Sequence, residues 1–320
     1  MDIAVAATAS TDRRLAGVAS GMGAGALWGL VFLAPALVRD FTPLQLAAGR
    51  YLAFGLASAA LIGGRWRSLL AVLERRDWLW LVALALTGNT LYYVLLSTAV
   101  QQGGIAMTSL VIGFLPVAVT IIGSREAGAM PLSRLAPSLI LCAIGAACIG
   151  WQALSHGGHA GAQLTGLWCA IGALLSWTIF AVGNSRCLSR LRTISVHDWN
   201  LLTGIVTGAQ AVVLVPIAFG AGTVRHEAAG WTQFAGVSIG VAILASILGN
   251  ALWNRMSRLL PLTLVGQMIL FETLFALLYG FMWERRLPTM LEVAAFALVV
   301  ASVLSCIAAH RRVAPPPAGD

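Results

Sequence analysis

The chain has very little charge to show to water. Of its 320 residues only 10% are Asp, Glu, Lys or Arg, against 59% hydrophobic, and the mean hydropathy is +0.86. A soluble domain carries roughly 25% charged residues, so a water-soluble globular fold is excluded. Lysine is absent, and all twenty basic residues are arginine. With the abundant Ala and Gly, this suits a GC-rich bacterial genome. The net charge of +8 and pI near 10.1 would suit nucleic acid, but the arginines sit in short loops between apolar runs and form no basic face, which excludes that partner. Cysteine is scarce too: Cys142, Cys148, Cys169, Cys187 and Cys306 form no CxxC pair, as expected of small apolar packing residues.

Catalytic and cofactor signatures are also missing. All five histidines (His156, His159, His197, His226, His310) lie in loops or a tail. Neither a pair of midplane aspartates nor a serine nucleophile with a histidine is present, so an intramembrane protease or transferase is disfavoured. No ATP-binding motif occurs. Gly21-Met22-Gly23 follows no strand and lies in an apolar span, so it is not a nucleotide loop. His156-Gly157-Gly158-His159 has no adjacent Cys, Asp or Glu and reads as loop, not as a metal site. No cofactor is called for.

What is there is a series of apolar runs. A helix needs about 20 apolar residues to cross a ~30 Å hydrocarbon core. Ten segments qualify: 17–37, 43–63, 78–98, 104–123, 135–152, 163–184, 199–220, 232–254, 261–282 and 290–309. Residues 1–16 form a polar arm, and 310–320, with three prolines, form a disordered tail. The first run is too long for a cleaved leader. With the N-terminus in the cytoplasm, fifteen arginines fall inside and four (Arg39, Arg225, Arg285, Arg286) outside, while Arg50 lies within the second span. The positive-inside rule then places both termini in the cytoplasm. Nine of eleven tryptophans sit near span ends as interfacial anchors. Trp28 and Trp177 are the exceptions.

These two tryptophans mark an internal repeat. Ala26-Leu27-Trp28-Gly29 in the first span matches Leu175-Ser176-Trp177-Thr178 in the sixth. Asp77-Trp78 opens the third span and Gly230-Trp231 the eighth. Leu115-Pro116 precedes Glu126, as Glu272-Thr273 precedes Glu284. Each half (17–152 and 163–309) therefore holds five helices. Five is odd, so the second copy enters the membrane inverted, as in secondary transporters with a midplane site. The expected fold is an all-α membrane protein, ten transmembrane helices as two inverted five-helix repeats.

On these residues, together with Arg50-Tyr51 and the stretch from Phe271 through Glu284, the sequence resembles the EamA-like exporters of the drug/metabolite transporter superfamily. The resemblance covers about residues 20–308. It implies a ten-helix bundle with a central cavity lined largely by the third, fourth, eighth and ninth spans. The family usually has Glu-Pro in the ninth span; here Thr273 follows Glu272, so only Pro116 in the fourth keeps its helix kink.

Glu272 is the sharpest candidate. It is the only carboxylate deep in a predicted span, about eleven residues in and hence ~16 Å from the boundary, near mid-bilayer. An ionisable group there is a functional candidate by default, for proton coupling or for a substrate amine; a structural hydrogen bond is the competing role. Arg50, at similar depth, is its candidate charge partner or a snorkelling side chain. Asn89, Tyr92 and Tyr93 share one helical face, suited to an organic ligand or to interhelical bonding. Ser246, Asn250 and Asn254 form a second polar stripe, and Gln267 stands isolated. Trp28 and Trp177 are candidate cavity walls. Gly17, Gly21, Gly25 and Gly29 form a packing ridge. Glu126 and Glu284 read as boundary charges.

The function expected is secondary export of small organic metabolites such as amino acids or drugs, by alternating access. Sugar-nucleotide or sugar-phosphate exchange is the alternative, and would want more than one deep cation. The partners expected are a small-molecule substrate and the bilayer of a bacterial inner membrane, with protons or a second copy of the chain, as a homodimer, left open. The topology is testable. On a cysteine-free background, an impermeant thiol reagent added to intact cells should label Ser155→Cys and not Ser195→Cys; the opposite pattern reverses the orientation.

Overall fold

A computed structural model describes residues 2–123, 132–155, 160–191, 193–220, 226–259 and 262–311. Every regular element among them is helical, as required where backbone groups have no water to bond. In chain order the α-helices are α1 (Asp2–Leu37), α2 (Pro43–Ile62), α3 (Trp66–Val72), α4 (Arg75–Ala85), α5 (Leu91–Gly103), α6 (Ile105–Ile112), α7 (Leu115–Gly123), α8 (Leu132–Ser155), α9 (Ala160–Arg190), α10 (Val196–Gly220), α11 (Ala228–Val241), α12 (Asn250–Leu259), α13 (Leu262–Glu284) and α14 (Met290–Arg311). Glu126, the His156–His159 loop and the tail beyond Arg311, singled out in the sequence, lie outside the described residues.

Among the described residues, six helical stretches are long and apolar enough to cross a membrane: Leu15–Leu37, Pro43–Val72, Arg75–Gly103, Gly161–Leu188, Val196–Gly220 and Ala228–Met256. Ile105–Val119, Ser133–Gly145 and Met290–Ser305 are shorter apolar helices. The polar arm expected over 1–16 continues α1 back to Asp2. Two of the long stretches are not uniform. Between α4 and α5 the helix widens to π geometry over Leu86–Thr90, and between α11 and α12 over Ala242–Gly249.

Local chemistry sets the breaks. Thr42 caps α2 through a capping box with Gln45, with Pro43 in the first turn. Gly104, at φ +87, separates α5 from α6 in a conformation that only glycine adopts cheaply. The chain turns at Gly113-Phe114, and Pro116, which has no N–H to donate, falls in the first turn of α7, where none is needed. Thr273 imposes no such break, and α13 runs continuously through Glu272-Thr273.

Small residues decide the packing. α1 lies along α13 and α12, α2 along α10, α5 along α9, and α8 along α14. The glycine ridge of α1 faces α13: a Cβ on Gly25 would sit 2.6 Å from the Phe271 Cβ and 2.9 Å from the Glu272 nitrogen. Gly55 and Gly208 cross backbone to backbone, each Cβ position falling 2.6 and 2.7 Å from the other's Cα. At the α8–α14 crossing Ser138 donates to the Ser302 carbonyl (2.8 Å) and Ser302 returns the bond to the Ser138 carbonyl (2.9 Å). Such contacts supply the association that a hydrophobic effect cannot supply in lipid. Ion pairs tie the helix ends: Arg65 to Asp198 at 2.6 Å, Arg190 to the buried Asp77, and Arg286 to both Glu284 and Glu292 at 2.6 Å. Hydrogen bonding to Glu292, above all, holds the Arg286 guanidinium protonated beyond its ordinary range.

Gly55→Ala should therefore force the α2–α10 crossing apart and cost about 1–3 kcal/mol. Gly240→Ala, with nothing within 4 Å of the added carbon, should be neutral or slightly stabilising. Melting of the two variants in detergent checks the contrast; equal midpoints would contradict the close crossing.

Candidate functional site

The two π segments bring the polar groups together. A helix that takes an extra residue into a turn misaligns its ladder, and its carbonyls turn to side chains. In the first segment the Thr87 carbonyl accepts from the Ser176 hydroxyl (2.7 Å) and the Asn89 carbonyl from the Tyr51 hydroxyl (3.0 Å). In the second, the Ala245 carbonyl accepts from Trp28 Nε1 (3.1 Å). The Ser246 carbonyl accepts from Asn250 Nδ2 (2.8 Å) and Asn200 Nδ2 (3.4 Å).

Each segment also holds a glycine pressed by an aromatic ring. A Cβ on Gly88 would run into the Phe180 ring, and one on Gly249 would meet Trp28 Nε1 at 2.7 Å. Trp28 itself packs against Trp253, ring centroids 5.0 Å apart. Trp177, expected to match Trp28, does not meet a π segment in this way. Phe180, one helical turn further on, does, with the Trp177 ring 5.6 Å away.

Arg50 projects from α2 into this polar layer and is only 7% exposed. Its Nη2 donates to Ser246 Oγ at 3.3 Å, and its guanidinium carbon lies 4.4 Å from the Tyr93 ring centroid and 5.2 Å from that of Tyr51. Cation–π contacts of this kind partly replace hydration. Nε and Nη1 have no hydrogen-bond partner. The ion pair between Arg50 and Glu272 is not formed. Glu272, half-buried on α13, has no hydrogen bond or ion pair among the described residues. Tyr92, on α5, is within electrostatic reach of both. A buried cation and a half-buried carboxylate thus both reach one tyrosine electrostatically without forming an ion pair with each other.

The remaining candidates separate. Asn89 donates to Thr207 Oγ1 (3.3 Å) and Asn250 to Asn200 Oδ1 (2.9 Å), so both amides serve interhelical bonds. The side chain of Gln267 lies outside the described residues. Sequence reasoning missed the partner stripe on α10: Asn200, Thr203, Thr207 and Gln210, the last paired with Thr90 at 2.7 Å. Its spacing of three and four residues was the available signal. Ser176 and Phe180 gave none.

Comparison with known proteins agrees with this architecture. Residues 15–151 match the EamA-like transporter family. The inner membrane protein YtfF of Escherichia coli (strain K12) is 32% identical over 318 residues, covering 92% of this chain and 96% of that one. A crystal structure described only as that of a protein shares the fold, with a TM-score of 0.60 at 18% identity, and covers 95% of this chain and 99% of the other. With its first half matched by the family and nearly its whole length matched by that relative, the chain belongs to the EamA-like transporter family.

Proposed function

We propose that the protein is a secondary exporter in a bacterial inner membrane, moving small zwitterionic metabolites such as amino acids by alternating access. The observation that carries this reading is that Arg50, with two buried nitrogens lacking a hydrogen-bond partner, and Glu272, with no ion pair to it, both lie within electrostatic reach of Tyr92. A buried charge without a partner costs several kcal/mol. A substrate bearing one carboxylate and one amine offsets both costs at once, the carboxylate at Arg50 and the amine at Glu272. The single deep guanidinium suits one carboxylate and does not suit a sugar-nucleotide pyrophosphate. The relative's location in an inner membrane supports the same location here. Both termini are cytoplasmic in this reading, from the arginine bias alone.

The reading includes ten spans in two inverted five-helix repeats. It draws support from the reciprocal contacts Gly55–Gly208 and Ser138–Ser302 and from the matched π segments, one in each half. A midplane site between inverted halves is the usual arrangement for secondary carriers. Without an ATP-binding motif, the energy comes from a gradient, and Glu272 is the group placed to exchange a proton.

Purified protein in proteoliposomes, offered a panel of radiolabelled amino acids under a proton gradient, tests this. Glu272→Gln and Arg50→Gln should each weaken apparent affinity roughly 30-fold or more, the effect of losing a buried charge contact worth about 2 kcal/mol. Glu272→Gln should also flatten the pH profile of transport. Because the two groups are not paired with each other, their effects on melting should add. Uptake of none of the zwitterions, with uptake of a simple anion or cation instead, would overturn the substrate class. Recovery of stability in the double variant would show an ion pair after all.

A further inference from the structure

Two features of the π segments are not needed to bind a substrate. They lie one in each half of the chain, at Leu86–Thr90 and Ala242–Gly249. In each, one freed carbonyl is claimed by a side chain from the opposite half. Trp28 of α1 reaches Ala245, 217 positions away, and Ser176 of α9 reaches Thr87, 89 positions away. In each, the glycine is also the seat of an aromatic from the opposite half, Trp28 on Gly249 and Phe180 on Gly88. A second carbonyl is held from within the same half, by Tyr51 of α2 on Asn89 and by Asn200 of α10 on Ser246.

A helix interrupted by π geometry bends there at lower cost than a regular one, because the local ladder is already out of register. Inside a bilayer the freed carbonyl must keep some partner. A segment whose carbonyl is bonded from another helix therefore cannot change its bend unless that helix moves with it or releases it.

We propose that the two π segments are a matched pair of hinges, and that Trp28 and Ser176 are the positioning residues that couple them. Bending at 242–249 pulls on α1 through Trp28, and bending at 86–90 pulls on α9 through Ser176. Since α1 packs along α13, α12 and the second π segment, and also touches α5, strain at either hinge passes to the other half of the chain. The device deepens the alternating-access reading, which it presupposes for its purpose, but its physical content is a coupling that exists without substrate.

Hydrogen–deuterium exchange of the full chain in lipid nanodiscs tests it with no ligand present. Trp28→Phe keeps an aromatic ring, though a smaller one, and removes the N–H donor; Ser176→Ala removes the hydroxyl. Loss of one such bond should accelerate exchange roughly two- to tenfold at the hinge it touches. Coupling requires the same sense of change at the distant hinge: Trp28→Phe at 86–91 as well as 242–250, and Ser176→Ala at 242–250 as well as 86–91. The α8–α14 pair should keep wild-type exchange. Acceleration confined to the nearer hinge overturns the coupling, and acceleration spread evenly over all helices reduces both residues to plain stabilisers. Unchanged exchange at both hinges overturns the hinges themselves. Transport assays enter none of these outcomes, so a wrong substrate class and a wrong coupling fail separately.

Discussion

The absence of water in the hydrocarbon core is the constraint on which the rest of this structure depends. It makes every described element helical, because a backbone group left unpaired in lipid costs several kcal/mol. It also makes two local departures from the α-helix conspicuous. Each π segment releases carbonyls where no solvent can take them, and each has them taken by Ser176, Tyr51, Trp28, Asn200 or Asn250. The polar side chains inside the bundle are therefore mostly committed before any ligand arrives.

Against that background the groups that stay uncommitted stand out. Asn89, Thr90, Asn250 and Gln210 all have partners on other helices. Arg50 has two nitrogens with none, and Glu272 enters no ion pair among the described residues. The Tyr51 and Tyr93 rings beside the guanidinium soften its burial without cancelling its charge. Three buried serine hydroxyls, on Ser58, Ser97 and Ser238, also lack a partner, but Arg50 is the one buried cation with two such nitrogens among the described residues, and with Glu272 it lies within electrostatic reach of Tyr92. Proposing a zwitterion follows from that contrast, not from either residue alone.

Much of the fold was legible in the sequence, and the reasons are physical. Thr42-Pro43 and Gly63 bracket a run that begins and ends within a residue of the expected 43–63. The glycines at every fourth position announced a close approach, and α13 lies against Gly25. Pro116 marked a kink within the expected span 104–123, and the structure breaks there between α6 and α7. Arg50 and Glu272 were recognisable because a charge in an apolar run has few explanations. The π segments were not legible, since no residue type dictates them; Gly88 and Gly249 permit them but resemble any other helical glycine. Missing them cost the reading its inter-half contacts. Trp177 looked like the match to Trp28 because tryptophan is conspicuous, while the ring that meets the opposite glycine belongs to Phe180. The candidate Arg50–Glu272 pair is not formed for a related reason: similar depth along two helices says nothing about which faces they turn, and both groups instead act on Tyr92.

The central claim is that the two buried charges are held apart for a ligand with two opposite charges. Ligand-induced melting shifts of the wild-type protein in detergent test it most directly, using one amino acid that binds, its methyl ester and its N-acetyl derivative. Binding to the folded state alone raises the melting temperature in proportion to affinity. The account predicts a concentration-dependent rise with the parent zwitterion and its loss with either derivative, because each removes one of the two charges. An equal rise with the ester or the acetyl derivative would contradict it, by showing that Arg50 or Glu272 is not reserved for the substrate.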